Sequence, residues 1–233
     1  MNQHVFGFAL AGAGFLLMFA PPVGATTLLP NTSTFTPDVI TSLPASPDAS
    51  VTITLTDLIG TPYPDGVKVT ENVYLNQTHG GVTGALFAYQ ITNNSSPTGS
   101  NDGIETISVT TYPSAAGNPS IDVGYSTGNG GSFAPNEIDW QSVALTKGNV
   151  NFDFGSNLLP KGGTTYFLYV QTSAPGFDNL GEVSAIDGGV AGASGFLEPV
   201  PGPIVGAGLP GLIAALGGLV ALARRRRKAA QAS

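Results

Sequence analysis

The chain has 233 residues, 32 of them Gly and 18 Pro, no Cys, and a net charge of −7. Without cysteine there can be no disulfide staple, no thiolate chemistry and no cysteine-based metal site. The charge is uneven: residues 26–197 carry fourteen acids against Lys68, Lys147 and Lys161, a net of −11, which repels nucleic acid and anionic lipid.

The chain begins with an apolar run of 16 residues, Val5 to Ala20, closed by Pro21-Pro22. Small residues at Val23 and Ala25 follow, as in an A-x-A cleavage site, which predicts a signal peptide over 1–25 cut between Ala25 and Thr26. Residues 26–49 are rich in Thr, Ser and Pro, with Pro30, Pro37, Pro44 and Pro47, and read as an extended lead-in.

From residue 50 the pattern is β. Val51-Thr52-Ile53-Thr54-Leu55-Thr56 alternates without a break, which predicts a strand with one buried face. Val67, Val69, Val73 and Leu75 share one parity, with Glu71 intruding among them. Either a bulge re-aims Glu71 or it is a partnered buried acid, and the bulge or an edge position is the expectation. Further strands are predicted at 85–92, 104–112, 121–126, 137–145, 149–154, 164–172 and 183–186. They are separated by breaker clusters such as His79-Gly80-Gly81 and Pro160-Lys161-Gly162-Gly163. Short strands at this spacing predict an all-β fold, a single antiparallel β-sandwich over 50–187. Gly188 to Gly195 reads as a flexible spacer, part of a Gly/Pro-rich segment over 188–203.

Few residues in this domain suggest chemistry. His79 is its one histidine, so a metal site of several His is excluded by the count, and a turn histidine facing solvent is expected. Glu105, Glu137, Asp139 and Glu182 are the acids from which a glycosidase pair would have to come. Trp140, with Tyr63, Tyr112 and Tyr125 near turns, would supply an aromatic platform for sugar. Asn101-Asp102 and Asp187-Gly188-Gly189 are oxygen-rich loops of the kind that take Ca2+, although neither has the full calcium-loop pattern. No catalytic residue, organic cofactor or metal ligand is assigned.

The C-terminus is tripartite. Glu198-Pro199-Val200-Pro201-Gly202-Pro203 precedes an apolar stretch, and Arg224-Arg225-Arg226-Arg227-Lys228 follows it. Residues 204–223 carry no charge, and as a helix they approach the roughly 30 Å hydrocarbon thickness of a bilayer, which predicts a transmembrane helix. The five cations stay on the cytoplasmic side, leaving residues 224–233 as a basic cytoplasmic tail and the sandwich outside. Prolines on either side of Gly202 hold that stretch extended, as a protease cleft requires.

This tail resembles the PEP-CTERM sorting signal of Gram-negative bacteria, with a short Pro-Glu-Pro-like motif, a membrane helix and an arginine cluster in that order. The resemblance covers about the last 35 residues. Where the family usually has Val-Pro-Glu-Pro, this chain has Val200-Pro201-Gly202-Pro203. The resemblance implies a membrane-embedded processing peptidase of the exosortase type as partner, cleavage near the motif, and transfer to the cell surface or extracellular matrix. The expected function is therefore a non-catalytic structural or adhesive ectodomain, exported and sorted by its tail, with the membrane and extracellular polysaccharide as further partners. Two other readings are a secreted carbohydrate-binding module and a secreted polysaccharide hydrolase.

Overall fold

The computed structural model describes residues 27–28, 32–34, 36–59, 66–94, 103–110, 121–144, 147–186 and 189–200, with backbone alone for 27, 56–59, 142–144 and 147. The expected signal peptide, Ala25 and Thr26 at its cleavage site, residues 201–203 of the sorting motif, the transmembrane helix and the basic tail lie outside them. Among the described residues no helix is long and apolar enough to cross a membrane.

Among the described residues fifteen strands build the fold: β1 Thr27–Leu28, β2 Thr32–Thr34, β3 Asp38–Ile40, β4 Ala49–Ile59, β5 Val67–His79, β6 Val82–Asn93, β7 Gly103–Ile104, β8 Thr106–Thr110, β9 Ile121–Ser126, β10 Glu137–Ala144, β11 Lys147–Asp153, β12 Leu159–Pro160, β13 Phe167–Gln171, β14 Gly176–Ile186 and β15 Val190–Val200. One 3-10 turn, Thr127–Asn129, follows β9. The first sheet runs β9-β13-β6-β5-β4, with β1 and β3 on the outer edge of β9, and the second runs β4-β15-β14-β8-β11-β10-β2. β4 belongs to both: Ala49–Leu55 pair with β5, and Thr56, Asp57 and Ile59 pair with β15 across a bulge. It is the corner where the sheet folds back on itself, while β7 and β12 pair separately. The strand pairings are antiparallel except β3 on β9, as expected for a sandwich.

The core follows from alternation. Val69 and Val73 on β5, Phe87 and Ile91 on β6, Val123 on β9, and Leu168 and Val170 on β13 point inward from the first sheet. Ile107, Val109, Ile138, Trp140, Val150 and Phe152 meet them from the second. A smaller apolar cluster lies on the outer face of the first sheet: Tyr74, Leu86, Ala88, Phe167 and Tyr169, capped by Ile40 and Leu43. The lead-in is thus part of the domain. Its Ile40 and Leu43 lie over this face, and the Leu43 amide donates to Asn129 Oδ1 at 2.7 Å.

Two expectations are corrected. The stretch from Gly188 to Gly195, expected to be a spacer, is mostly β15, paired on one side with β14 and on the other with β4. Its small residues have low strand propensity, but a central position with ladders on both edges overrides that. Glu71 is neither on an edge strand nor re-aimed by a bulge: β5 lies between β4 and β6, and Glu71 is fully buried on its inner face.

Glu71 ties the two sheets together. Its Oε2 accepts from the amide of Leu197 on β15 at 2.7 Å, where the β14–β15 ladder is interrupted between Asp178 and Gly181. Burial pushes its carboxyl from 4.5 up to about 8, against the lowering pull of the Leu197 amide and a hydrogen bond with Tyr89. Between these two values the unfolded chain gives up the Glu71 proton and the folded chain keeps it. This group therefore subtracts stability as pH rises from about 4.5 to 8, by up to about 1.4 kcal/mol per pH unit, and levels off above. Glu71→Gln keeps the neutral shape, so its urea midpoint should fall less than that of the wild type from pH 5 to 8, with the variant the more stable by a few kcal/mol at pH 8. Equal pH slopes would contradict this.

Candidate functional site

Four side chains from four segments meet on the outer face of the first sheet: Asp38 on β3, His79 at the end of β5, Asp122 on β9 and Tyr169 on β13. Register explains why they share a face. Tyr169 pairs with Gly124 on one side and Ala88 on the other, and Asp122 pairs with Gln171, which puts Tyr169 and Asp122 on the outward parity. His79 reaches that face through one extra residue. Upstream on β5 the odd residues point inward, so an unbroken strand would aim His79 into the core. The ladder shifts between Tyr74 and Gln77, with Asn76 at φ 55°, and beyond the shift His79 pairs with Val82 on the outer parity. A bulge does re-aim a side chain of β5, and that side chain is His79.

His79 Nδ1 is hydrogen-bonded to Asp122 Oδ2 and lies 3.7 Å from Asp38 Oδ2. Tyr169 donates from its hydroxyl to Asp38 Oδ2 at 3.2 Å and lies 3.5 Å from Asp122 Oδ2. Its ring meets the imidazole edge to face, with centroids 5.2 Å apart. The His79 side chain keeps 27 % of its surface exposed and that of Asp38 16 %, whereas Asp122 has none. Asp38 Oδ1 is held by the Val39 amide at 2.8 Å, which leaves Oδ2 for the cluster. Asp122 Oδ1 is sealed from solvent and has no hydrogen-bond partner. Burial raises the Asp122 carboxyl, opposed by the His79 hydrogen bond and charge and assisted by Asp38. Burial also holds the Tyr169 phenol far above its ordinary value, reinforced by the charges of Asp122 and Asp38, so it stays a donor.

Close backbone approach is part of the site. A Cβ on Gly80 would press on the Asp122 carboxyl at 2.5–2.8 Å, and one on Gly124 would strike the Asp38 carbonyl and come within 2.8 Å of the Tyr169 hydroxyl. A turn histidine facing solvent, the sequence expectation, is thus corrected to a half-buried, partnered one. Its partners are 41, 43 and 90 residues away, and no local pattern could reveal them. Asn76, a residue type that tolerates positive φ, was the one local clue.

The other singled-out residues do not converge. Trp140 is 1 % exposed and points into the core opposite Val150, so the sugar platform built on it is corrected. Tyr125 stacks on Tyr166 at 5.5 Å instead, and Tyr63 and Tyr112 lie outside the described residues. So do Asn101-Asp102 and residues 187–188 of the other oxygen-rich loop. Glu105 is exposed beside β8. Glu137, Asp139 and Glu182 stand on the outer face of the second sheet, with Glu182 three strands from the other two, about 14 Å at the usual strand spacing. That exceeds the separation of either glycosidase geometry for Glu182 with Glu137 or Asp139, and Glu137 and Asp139 are alternate residues of β10 that do not face each other across a cleft.

Among the described residues that outer face is polar. One row across six strands reads Ser33, Asp139, Asn151, Ser108, Ser184, Gly192. Two shallow depressions lie on it. One, of about 480 Å³, is lined by Ser33, Glu137, Asp139 and Asp153; the other, of about 280 Å³, by Glu182, Ser184 and Ser194. No family model, no curated protein and no solved structure matches the chain.

Two outcomes follow. Asn76→Gly should be near neutral and Asn76→Val should lose about 1–2 kcal/mol in urea unfolding, because a β-branched residue resists positive φ; equal effects would argue against the bulge. Trp140→Ala should lose about 3–5 kcal/mol of stability as a core truncation; a variant as stable as the wild type would place the indole outside the core.

Proposed function

We propose that this chain is an exported surface or matrix protein: a non-catalytic β-sandwich sent out by the N-terminal signal peptide and handled through the PEP-CTERM-like tail. The observation that carries this is the order of the tail itself: Val200-Pro201-Gly202-Pro203, the uncharged stretch 204–223 and then Arg224 to Lys228. β15 ends at Val200, paired with Gly176, and Val200 is the first residue of the Val200-Pro201-Gly202-Pro203 motif. A peptidase cutting at or beyond Pro201 would remove the apolar segment and Arg224 to Lys228 without breaking a ladder among the described residues.

The polar face of the second sheet supports an adhesive role. It bears acids, Ser and Asn, while Ile40 and Leu43 of the lead-in lie on the opposite sheet. Extracellular polysaccharide would meet hydroxyl, amide and carboxylate groups there and not Trp140. Glu137 and Asp139 are alternate residues of one strand in a shallow depression, and Glu105 and Glu182 are exposed elsewhere, so no two of the four face each other across a cleft, which favours the non-catalytic reading.

Cell fractionation with mass spectrometry of the mature termini tests the proposal. The surface or matrix fraction should contain a chain beginning near Thr26 and lacking every peptide that includes Arg224. Recovery of the uncut chain from the cytosol, or of Arg224-containing peptides at the surface, would contradict it.

A further inference from the structure

We infer that Asp38, His79 and Asp122 form a binding site for one divalent transition-metal ion, zinc in first place, that clasps the lead-in onto the sandwich. Three observations on three strands support it. One ligand atom from each residue lies within 4.8 Å of the other two. Tetrahedral zinc ligands at about 2.0–2.2 Å from the metal stand about 3.4 Å apart, so modest rotations of His79 and Asp38, both partly exposed, would admit the ion. Asp122 is fully buried with Oδ2 aimed into the cluster, and its other oxygen, Oδ1 beside Gly80, has no partner, so the carboxylate is under-satisfied by the protein and a cation at Oδ2 would compensate it.

The donor set selects the metal. Calcium needs six to eight oxygen ligands, whereas two carboxylates and one imidazole nitrogen suit a borderline ion such as zinc. Tyr169, donating to Asp38 Oδ2 at 3.2 Å, would orient that carboxylate as an outer-shell partner. The open side of His79 provides the entry path and room for a water as fourth ligand. Asp38 belongs to the lead-in, Asp122 to β9 and His79 to the β5–β6 hairpin, so one ion would cross-link segments distant in sequence. This site is unrelated to the oxygen-rich loops named above and does not depend on whether the tail is processed.

The purified full chain, stripped with chelator, should bind one Zn2+ per molecule by calorimetry, at least roughly tenfold tighter than Ca2+ or Mg2+. Zinc should raise its Tm and slow amide exchange at Val39 and Ile40. Co2+ should give the visible absorption of a four-coordinate centre. His79→Ala and, separately, Asp38→Asn should each weaken zinc binding roughly tenfold or more, while His4→Ala leaves it unchanged. Asp38→Asn keeps the test open should a change at buried Asp122 prevent folding. No zinc binding by the stripped wild type would overturn the inference. So would zinc binding that survives His79→Ala, or zinc binding without protection of Val39 and Ile40.

Discussion

One extra residue in β5 decides how the two sides of the first sheet are used. Up to Val73 the strand alternates normally, and Glu71 faces inward to reach the Leu197 amide of the opposite sheet. Past the bulge at Leu75–Asn76 the parity is reversed, and His79 faces outward to meet Asp122 and Tyr169. A single strand therefore ties the two sheets together at one end and receives the lead-in at the other. Without the shift, a polar imidazole would enter an apolar core with no partner prepared for it, which is strongly unfavourable.

The domain buries acids while holding few cations, and that shortage shapes both polar sites. Glu71 and Asp122 are each fully buried, yet the partners they use are a backbone amide, two tyrosine hydroxyls and a histidine. Glu71 answers by keeping its proton: burial dominates, and the carboxyl behaves largely as a neutral group at the sheet interface. Asp122 has His79 at hand and a second carboxylate beside it, so it sits in a more polar surrounding under opposing pulls. The two buried acids are thus settled by different means, one by keeping its proton and one by a hydrogen bond to a histidine.

Much of the sandwich was legible because alternation and breakers are local. The strand expected at 121–126 is β9 with the same limits, and Val150 and Phe152 face inward as their alternation implies. What was not legible depends on distant partners. β15 has a composition suited to a linker and becomes a strand because β14 and β4 offer it ladders on both edges. The Thr/Ser/Pro-rich lead-in read only as extended chain, but Ile40 and Leu43 cap an apolar patch that only exists once β6 and β13 are paired. The Asp38–His79–Asp122–Tyr169 cluster joins four segments, and only Asn76 hinted at it. Trp140 was ambiguous by its nature, since an indole on a strand serves a core as well as a platform, and the parity of β10 decided for the core.

The account therefore rests on His79 pointing away from the core, against the Tyr169 ring. A nuclear Overhauser spectrum of the isotope-labelled protein addresses this directly. Ring centroids 5.2 Å apart require cross-peaks between the imidazole protons of His79 and the ring protons of Tyr169. Cross-peaks from His79 to Phe87 or Val73 in the inner core, with none to Tyr169, would contradict it.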